Sequence, residues 1–351
     1  MSRMKIEWQH RRNRITGTPL RERLLAALPR IAPKVSRLSR LLNLASHLPG
    51  KRLLGLAPER RLPRWAGQAW TDQELKSVVP PAKSGAEQGS IEITAASTKP
   101  QVALFVDTFS RWFEPEIPRA ARDLLQASGA DVIPLRSAPG ERPLCCGRTY
   151  LSAGMVDEAI HEAERLVNAA RKMTSDDIKI VGLEPSCLYT LKDEIPALLD
   201  NKEANRLSEL SLTLEDYLDQ AWEDGRTISF NNQAYKGQDG KPLRILRHGH
   251  CHQKAFGGVP AVDRMLARLP GVEVTAIESG CCGMAGAFGY HAEHYATSMA
   301  IGELDLLPQV RAAEDDVHII ADGTSCRAQI ADGTGRNATH AAILLAEGLA
   351  T

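Results

Sequence analysis

The feature that most constrains this chain is a Cys-Cys-Gly triplet that occurs twice, at residues 145–147 and 281–283. Each triplet is followed by a Ser-Cys pair, which ends in Cys187 in the first copy and in Cys326 in the second. The second triplet lies 136 residues after the first, and the second Ser-Cys pair lies 139 residues after its counterpart. Two ordered motifs that recur with nearly the same period indicate an internal duplication.

The segments around these motifs alternate between apolar runs typical of strands and amphipathic stretches typical of helices. In the first copy, we predict strands at 102–108, 131–135 and 178–183 and helices at 114–129 and 155–173. In the second copy, we predict strands at 243–248, 272–277 and 317–322 and helices at 259–269 and near 291–307. This alternation predicts an α/β fold with two tandem doubly wound parallel-sheet modules. The cysteines would follow the carboxyl ends of strands, where open α/β sheets bind their ligands.

Composition and the repeat together divide the chain into four predicted regions. A stretch rich in Pro, Gly, Ser, Thr and Ala precedes the first module and is typical of a connecting segment. We predict a basic helical arm at 1–78, a linker at 79–100, a first module at 101–240 and a second module at 241–351.

The arm contains two amphipathic stretches, 18–30 and 33–48, in which Leu and Ile recur at steps of three and four residues. Each stretch has a proline near its start, where a helix tolerates one. The pattern predicts two short helices. They either pack on the rest of the chain as a hairpin or form a surface that binds a partner or a membrane.

Charge is distributed unevenly, although Lys+Arg and Asp+Glu both number 43 over the whole chain. Residues 1–70 contain 16 Lys or Arg and 3 Asp or Glu, a net charge of +13, so the remaining residues carry −13. A basic arm on an acidic body predicts docking to an acidic surface: a partner subunit, anionic lipid or the body itself. Nucleic acid is not expected, since no zinc-finger, helix-turn-helix or RNA-binding aromatic motif accompanies the charge.

All seven cysteines follow residue 140, and four of them form adjacent pairs. Adjacent cysteines rarely bridge each other, because a disulfide needs Cα atoms about 5.5 Å apart and converging Cβ vectors. The N-terminus lacks the apolar core of a secretory signal, and the sequence has no apolar run of transmembrane length. We therefore predict a cytoplasmic chain, with the periphery of the inner membrane as an alternative, whose cysteines serve metal ligation or redox chemistry.

The second module offers four thiols, from Cys251, Cys281, Cys282 and Cys326. Four thiolates are the ligand set of an iron–sulfur cluster or of a tetrahedral zinc ion. Both sulfurs of an adjacent pair reach a polynuclear cluster more easily than a single ion, which favours iron–sulfur over zinc. The four glycines of GCCGMAGAFG (280–289) allow the backbone to approach closely, so that amide N–H groups can face the sulfurs.

The first module offers only three thiols, from Cys145, Cys146 and Cys187. Thr108 stands at the position that corresponds to Cys251. Three thiolates can hold a cluster with one open or foreign ligand. Alternatively, this copy is a degenerate repeat that is kept for packing and symmetry, because buried free cysteines are common.

Three histidines flank Cys251 in the sequence His-Gly-His-Cys-His (248–252). A strand end with polar residues on alternate sides accounts for this spacing. His250 and His252 are also candidates for groups that hydrogen-bond to a metal ligand, and direct ligation is a third alternative. Asp107 and Glu184 are predicted to be helix caps or surface residues rather than catalytic carboxylates.

Five motifs resemble those of the cysteine-rich CCG-domain family of iron–sulfur proteins: CCGRTYLSAG, EPSC, HGHCH, ESGCCGMAGAFG and ADGTSCRAQI. That family includes a heterodisulfide reductase subunit, the glycolate oxidase iron–sulfur subunit, a subunit of anaerobic glycerol-3-phosphate dehydrogenase, and lactate-utilisation proteins. The resemblance covers about residues 101–348. The chain looks most similar to the C-terminal iron–sulfur region of FAD-linked D-2-hydroxyacid dehydrogenases of the D-2-hydroxyglutarate or D-lactate type.

The chain departs from that pattern in three respects. It has no FAD domain and no Cys-x-x-Cys-x-x-Cys-x-x-x-Cys-Pro ferredoxin run. Its closing motifs contain a single cysteine each, with Thr190 and Gln329 at positions where some family members carry a second. A four-cysteine cluster in the second module is therefore the expectation, rather than the five-cysteine cluster of heterodisulfide reductase.

The resemblance implies an oxidoreductase component that is not catalytic alone. It implies a 4Fe-4S cluster on the cysteines, and FAD on a partner domain or subunit that carries ferredoxin-like clusters. Electrons would pass from the flavin to a quinone or another acceptor, with the membrane surface as a further contact. The alternatives are a structural zinc-binding module without redox function and a thiol-dependent enzyme.

Overall fold

The computed structural model describes residues 2–45, 50–75, 99–173, 177–231, 235 and 240–350. All but the last two residues of the predicted linker (79–100) lie outside the described residues. The four predicted region boundaries remain predictions.

The described residues contain eight strands, four in each half of the repeated region. They are β1 (Gln101–Phe105), β2 (Asp131–Pro134), β3 (Lys179–Gly182), β4 (Ser211–Thr213), β5 (Leu243–His248), β6 (Val272–Ala276), β7 (His318–Ala321) and β8 (Ala338–Thr339).

The strands form two separate four-stranded sheets in which every pairing is parallel. The first sheet has the order β2-β1-β3-β4, and the second has the equivalent order β6-β5-β7-β8. The predicted α/β fold with two tandem doubly wound modules is confirmed. The fourth strand of each sheet was not predicted, because β4 and β8 have only three and two residues and show no periodic pattern.

Helices surround both sheets. The arm contains α1 (Ser2–Thr16), α2 (Leu20–Ala26), α3 (Leu28–Val35), α4 (Ser39–Ala45) and α5 (Gly50–Leu53). The first module contains α6 (Thr108–Trp112), α7 (Glu116–Ala127), α8 (Arg148–Ser152), α9 (Val156–Arg171), α10 (Pro185–Tyr189), α11 (Ile195–Leu199), α12 (Lys202–Leu210) and α13 (Leu214–Glu223). The second contains α14 (Cys251–Phe256), α15 (Val259–Ala267), α16 (Tyr295–Leu304), α17 (Leu306–Ala312), α18 (Thr324–Thr334) and α19 (Ala341–Glu347).

The two modules share one hydrophobic core. In β1, Val102 and Leu104 face this shared core, whereas Ala103 and Phe105 face a second core on the opposite side of the sheet. The shared core also contains residues of β5 and β7, and it is filled by α7, α13, α15 and α19. Helix α19 of the second module packs on α7 of the first, and α13 packs on α15. Each module therefore completes the core of the other, which gives the pair a fixed relative position.

Two predicted boundaries are corrected. The predicted strand 102–108 ends at Phe105, because the Asp107 carboxylate accepts hydrogen bonds from the amides of Phe109 and Ser110 and begins α6 at Thr108. The predicted helix 33–48 does not begin at Pro33. Instead α3 runs through Pro33 to Val35, and a 3₁₀ turn at Ser36–Leu38 separates it from α4.

No helix of the described chain combines the length and apolar character needed to cross a bilayer.

Candidate metal centre

Every cysteine lies at the carboxyl edge of its sheet or in the loop that follows. Cys187 and Cys326 are on α10 and α18, which follow the central strands β3 and β7. Cys251 is the first residue of α14, directly after β5. In each sheet the second strand lies on one side of the first strand, and the third strand lies on the other side. The loops after these strands therefore border the topological switch point, where open α/β sheets bind ligands.

The second module brings its four predicted cysteines together. Hydrogen bonding connects the side chains of Cys251 and Cys282 to Cys281, and the side chain of Cys282 to Cys326. Cys281 is exposed and Cys251 is half-buried, whereas Cys282 and Cys326 are buried. Three loops thus place four sulfurs in one continuous group, one side of which is open to solvent.

The acidities of the four thiols alternate along this group. Hydrogen bonding from Cys251 and Cys282 lowers the pKa of Cys281 to about 2. Hydrogen bonding with Cys282 likewise holds the pKa of Cys326 well below its usual range. The same contacts, followed by burial, raise the pKa of Cys251 and of Cys282. Two thiols with lowered pKa values within one group of four sulfurs favour the binding of a cation, since metals bind the deprotonated thiol.

Backbone geometry aims two amides at the Cys-Cys pair. The amide of Gly283 lies 3.3 Å from Cys281 Sγ, and the amide of Met284 donates to the Cys282 sulfur. Gly283 has φ +92°, and a Cβ atom there would lie 2.2 Å from the carbonyl oxygen of Ser298. Only glycine fits this turn, which supports the close backbone approach predicted from the sequence.

The first module brings three cysteines together. The amide of Gly147 lies 3.4 Å from Cys145 Sγ, and the amide of Arg148 lies 3.4 Å from Cys146 Sγ. The second copy has the same arrangement. Cys146 is connected to both Cys145 and Cys187 by side-chain hydrogen bonding. The three cysteines are at most 4% exposed. Equivalent loops thus build a similar group that is closed to solvent.

The protonation of this first group differs from that of the second. Hydrogen bonding from Cys146 lowers the pKa of Cys187, but burial and the nearby carboxylates of Asp107 and Glu184 outweigh it and raise that pKa to about 12. The pKa values of Cys145, through hydrogen bonding with Cys146, and of Cys146, through burial, are also raised. Thr108 is the first residue of α6, just as Cys251 is the first residue of α14, so the predicted equivalence of these positions is confirmed.

The histidines of the 248–252 motif have separate positions. His250 is buried, and its Nδ1 accepts a hydrogen bond from the amide of His252, so its Nε2 carries the proton and donates to Ser186 Oγ at 3.2 Å. His252 lies with its ring edge against Tyr189. His248 is buried, and both it and His250 help to lower the pKa of Cys326. The polar environment of Cys326 thus includes His248, which the sequence did not single out.

Glu184 contacts two helices, whereas the sequence predicted a helix cap or a surface residue. It is 3% exposed, and its two carboxyl oxygens accept hydrogen bonds from the amide of Ser186 at 3.3 Å and from the amide of Thr324 at 2.8 Å. These amides begin α10 and α18, the two helices that carry Cys187 and Cys326. One carboxyl group therefore caps an equivalent helix in each module, and we call this pair of contacts the Glu184 clamp. Nothing in the local sequence distinguishes it from an ordinary helix cap.

An ion pair between the buried Arg327 and the half-buried Glu114 joins the modules beside this clamp. The guanidinium of Arg327 makes two contacts with the Glu114 carboxylate, at 2.8 and 2.6 Å, and also donates to the carbonyl oxygens of Ala321 and Asp322. Arg327 directly follows Cys326, so this pair fixes the start of α18 against the first module. The pairing spans more than 200 residues and has no sequence signal.

Thr190 and Gln329, each three residues after the closing cysteine of its module, contact backbone carbonyl oxygens. Thr190 donates from its hydroxyl to the carbonyl oxygen of Ser186, at 2.8 Å. Gln329 is buried and donates to the carbonyl oxygen of Ser298, at 3.0 Å. Both side chains support the local backbone.

The model of the CCG family, described as a cysteine-rich domain, matches residues 105–192 and 245–331. The matched segments coincide with the two groups of cysteines. The chain carries two CCG cysteine-rich domains. The duplication and the resemblance expected from the sequence are both confirmed.

Curated proteins similar to the chain include components of dehydrogenases. A subunit of the anaerobic glycerol-3-phosphate dehydrogenase of Escherichia coli K12 is 29% identical over 264 residues, which cover 74% of this chain and 62% of that protein. D-2-hydroxyglutarate dehydrogenase of the same strain is 22% identical over 329 residues, 90% of this chain and 29% of that protein. Lactate utilization protein A of Exiguobacterium sp. is 24% identical over 213 residues, 60% of this chain and 82% of that protein.

The chain thus spans about three fifths of the glycerol-3-phosphate dehydrogenase subunit and under a third of the D-2-hydroxyglutarate dehydrogenase. The second CCG domain fits a thiolate-held metal, because four sulfurs from three loops form one hydrogen-bonded group in which the pKa values of Cys281 and Cys326 are lowered. The first CCG domain fits less well, because its three thiols are buried and protonated.

Proposed function

We propose that this chain is an iron–sulfur electron-transfer subunit, or the corresponding fragment, of an FAD-linked D-2-hydroxyacid dehydrogenase. The observation that carries the proposal is the four-cysteine group of the second CCG domain, at the edge of the sheet where ligands bind. The relatives support the class of enzyme, since one is named as a dehydrogenase subunit and another as a dehydrogenase.

Four residues would hold the principal cluster, of the 4Fe-4S type: Cys251, Cys281, Cys282 and Cys326. Such a cluster, when bound, supplies one-electron transfer at a potential set by burial and by hydrogen bonds to sulfur. The amides of Gly283 and Met284 are positioned to donate such bonds. His250 caps α14 and thus fixes the orientation of Cys251, while the ring of His252 lies against Tyr189.

The first CCG domain would hold a second cluster through Cys145, Cys146 and Cys187 and a fourth ligand that is not a thiolate. Metal binding there must displace protons from three buried thiols, so we expect weaker occupancy than in the second domain.

Flavin chemistry would take place on a partner domain or subunit, which would oxidise the hydroxy acid and release electrons singly. Quinone or another carrier would be the final acceptor. The chain itself has no residue group that we assign to substrate oxidation.

Anaerobic reconstitution with iron and sulfide tests the proposal. We expect about four irons per principal cluster, an absorbance band near about 400 nm, and a reducible paramagnetic signal. Cys282→Ser should abolish most of this signal, whereas Cys146→Ser, its counterpart in the first domain, should retain most of it. Colourless protein that holds stoichiometric zinc would contradict the proposal.

A thiol-dependent enzyme is the second candidate, and the exposed, low-pKa Cys281 favours it. Low-pKa exposed thiolates react readily with electrophiles. This candidate requires that Cys281 be alkylated selectively and quickly while the metal content stays unchanged. Protection of Cys281 by the reconstituted cluster would exclude it.

A further inference from the structure

The arm has an outer face that is unusually apolar for an exposed surface. We define this outer face as the exposed side chains of the described residues 3–44 and 50–54. Of the thirteen large apolar side chains that are exposed in the described chain, eleven belong to it. Trp8 is 61% exposed and Leu53 is 92% exposed. Apolar side chains concentrated in one region, rather than scattered singly, indicate a surface that is covered by another molecule.

The same outer face carries basic charge that the described chain does not neutralise. Arg23, Arg37, Arg40 and Arg52 are exposed, and none has a carboxylate within salt-bridge distance among the described residues. Arg12 also lies over the ring of Trp8. Interfaces between proteins are enriched in Trp, Met and Arg. An occupant of this face must therefore present acidic groups around an apolar centre.

The inner side of the arm contacts the loop after the Cys-Cys-Gly triplet in the first module. The side-chain amide of Asn13 donates from Nδ2 to the carbonyl oxygen of Ala153 at 2.8 Å, and the Thr149 hydroxyl donates to the carbonyl oxygen of Ala26 at 3.0 Å. Residues 149 and 153 follow Cys145-Cys146-Gly147 within one short helix and its end.

The arm also contacts the equivalent loop of the second module. The amide of Ala57 donates to the carbonyl oxygen of Tyr290 at 2.8 Å, and the amide of Ala292 donates to the carbonyl oxygen of Gly55 at 3.0 Å. Arg21 forms a two-contact ion pair with Glu293, at 2.6 and 3.0 Å. The arm thus bridges both Cys-Cys-Gly loops, and about one helix diameter (~10 Å) separates its outer face from them.

We propose that the outer face of the arm is the docking surface for an acidic protein that carries a redox centre. This inference rests on the proposed function and names the contact through which the clusters receive electrons. A partner bound there is held in front of both groups of cysteines. With a cluster bound, the partner's flavin would lose one electron and the cluster would gain it, with no bond made or broken in this chain.

A protein fits the outer face better than a lipid surface. In α1, Met4, Trp8, Arg11 and Ile15 recur at steps of three and four residues, and all four are exposed. This stripe has the spacing of helix anchors that bind a groove in a partner protein. A helix that lies on a membrane needs a wider apolar face, and Arg11 interrupts this one.

Binding of a defined acidic flavoprotein tests the proposal. The probe is oxidised flavodoxin, titrated into the full-length chain and followed by calorimetry at about 0.01 M and about 0.5 M ionic strength. We expect the double variant Arg37→Glu/Arg40→Glu to weaken binding at least about tenfold at low ionic strength, and high salt to weaken wild-type binding. The control, Arg171→Glu/Lys172→Glu, makes the same charge change at the end of α9, near the opposite edge of the sheet, and should stay within about twofold.

Stopped-flow reduction of the reconstituted chain provides the second readout. Flavodoxin hydroquinone should reduce the wild-type cluster faster than the arm variant, while dithionite should reduce both at the same rate. If neither reductant changes the cluster spectrum but the binding differences persist, the proposed function fails and the docking surface stands. Equal flavodoxin affinities in the arm and control variants would overturn the docking surface. Arm-dependent binding to phosphatidylglycerol vesicles, without binding to flavodoxin, would also overturn the docking surface.

Discussion

At the scale of single residues, Glu184 has the strongest effect on the geometry of the site. Its carboxyl caps α10 in the first module and α18 in the second, so it fixes the two closing cysteines relative to each other. Burial, with a smaller contribution from the Asp107 carboxyl, raises its pKa to about 8. The clamp is therefore protonated through much of the neutral range in the metal-free chain.

Replacement of this carboxyl should alter how stability depends on pH. Because the folded pKa lies above the unfolded value of about 4.3, the folded state holds this proton more tightly than the unfolded state does. Its contribution to stability is complete below about pH 4 and is lost as the pH rises through about 8. We expect the unfolding free energy of metal-free wild type to fall, relative to Glu184→Gln, between pH 4 and about pH 9.

Urea unfolding at a series of pH values measures this difference. Glu164→Gln, at an exposed position on α9, is the matched control and should follow the wild-type curve. Parallel curves for wild type and Glu184→Gln would contradict the prediction.

The cysteines give a second prediction at this scale. We expect Cys326→Ser to reduce reconstituted iron by most of one cluster, because Cys326 is 1% exposed and no other thiol reaches its position. Cys187→Ser in the first domain should cause a smaller loss. Iron and sulfide analysis after gel filtration measures both. A larger loss from Cys187→Ser would show that the first domain holds the principal cluster.

At the scale of elements, the turn after each Cys-Cys pair decides where the sulfurs point. Gly147 and Gly283 both have positive φ, at +81° and +92°. Space is tighter in the second copy, where a Cβ atom would lie 2.2 Å from a backbone oxygen, than in the first, where the nearest atom would be 3.2 Å away. The second turn is thus less tolerant of substitution.

Gly283→Ala should distort this turn. The left-handed conformation costs a non-glycine residue about 1–2 kcal/mol, and the contact with the Ser298 carbonyl adds to it. We expect the unfolding free energy to fall by more than about 2 kcal/mol and iron content to fall with it. Gly280→Ala is the control, because a Cβ atom there meets nothing within 4 Å. Equal behaviour of both variants in urea unfolding and iron analysis would contradict the prediction.

At the scale of the whole molecule, the arm is fastened to the second module by Arg60. This side chain is fully buried and donates to the carbonyl oxygen of Gly289 at 2.8 Å and to Ser298 Oγ at 2.8 Å. It also pairs with the buried carboxylate of Asp332 at 3.3 Å. The contact crosses 272 residues of sequence and joins the arm to α18.

Arg60→Met should therefore loosen the arm and destabilise the fold. Removal of one partner from a buried ion pair costs about 3–5 kcal/mol, because the remaining charge is left without compensation. We expect the unfolding free energy to fall by an amount near the lower end of this range, since Arg61 lies 3.7 Å from the same carboxylate. Arg61→Met is the control: its side chain is 72% exposed, and the loss should stay below about 1 kcal/mol. Chemical unfolding measures stability, and limited proteolysis of residues 1–70 measures arm release.

Much of the fold was predictable from local patterns. Apolar runs and amphipathic periods identified six of the eight strands and the duplication, because these signals lie within a few residues of each other. The two short edge strands β4 and β8 carry no such pattern. The second arm helix was predicted to begin at Pro33, whereas α3 begins at Leu28, next to Pro29. Both prolines suit the start of a helix, and only packing selected Pro29.

The sequence by itself determined that two Cys-Cys-Gly copies exist, that the fold alternates strand and helix, and that the second copy has four thiols where the first has three. Those properties are encoded in residue identity and short spacing. Only the tertiary structure decided that the second group is open to solvent and contains two thiols with lowered pKa values, while the first group is closed and the pKa values of its thiols are raised. Burial and hydrogen bonding between distant loops set those pKa values. The Glu184 clamp, the Arg327–Glu114 pair and the arm that bridges both loops likewise join residues far apart in the chain, and contacts at such separations leave no trace in local sequence.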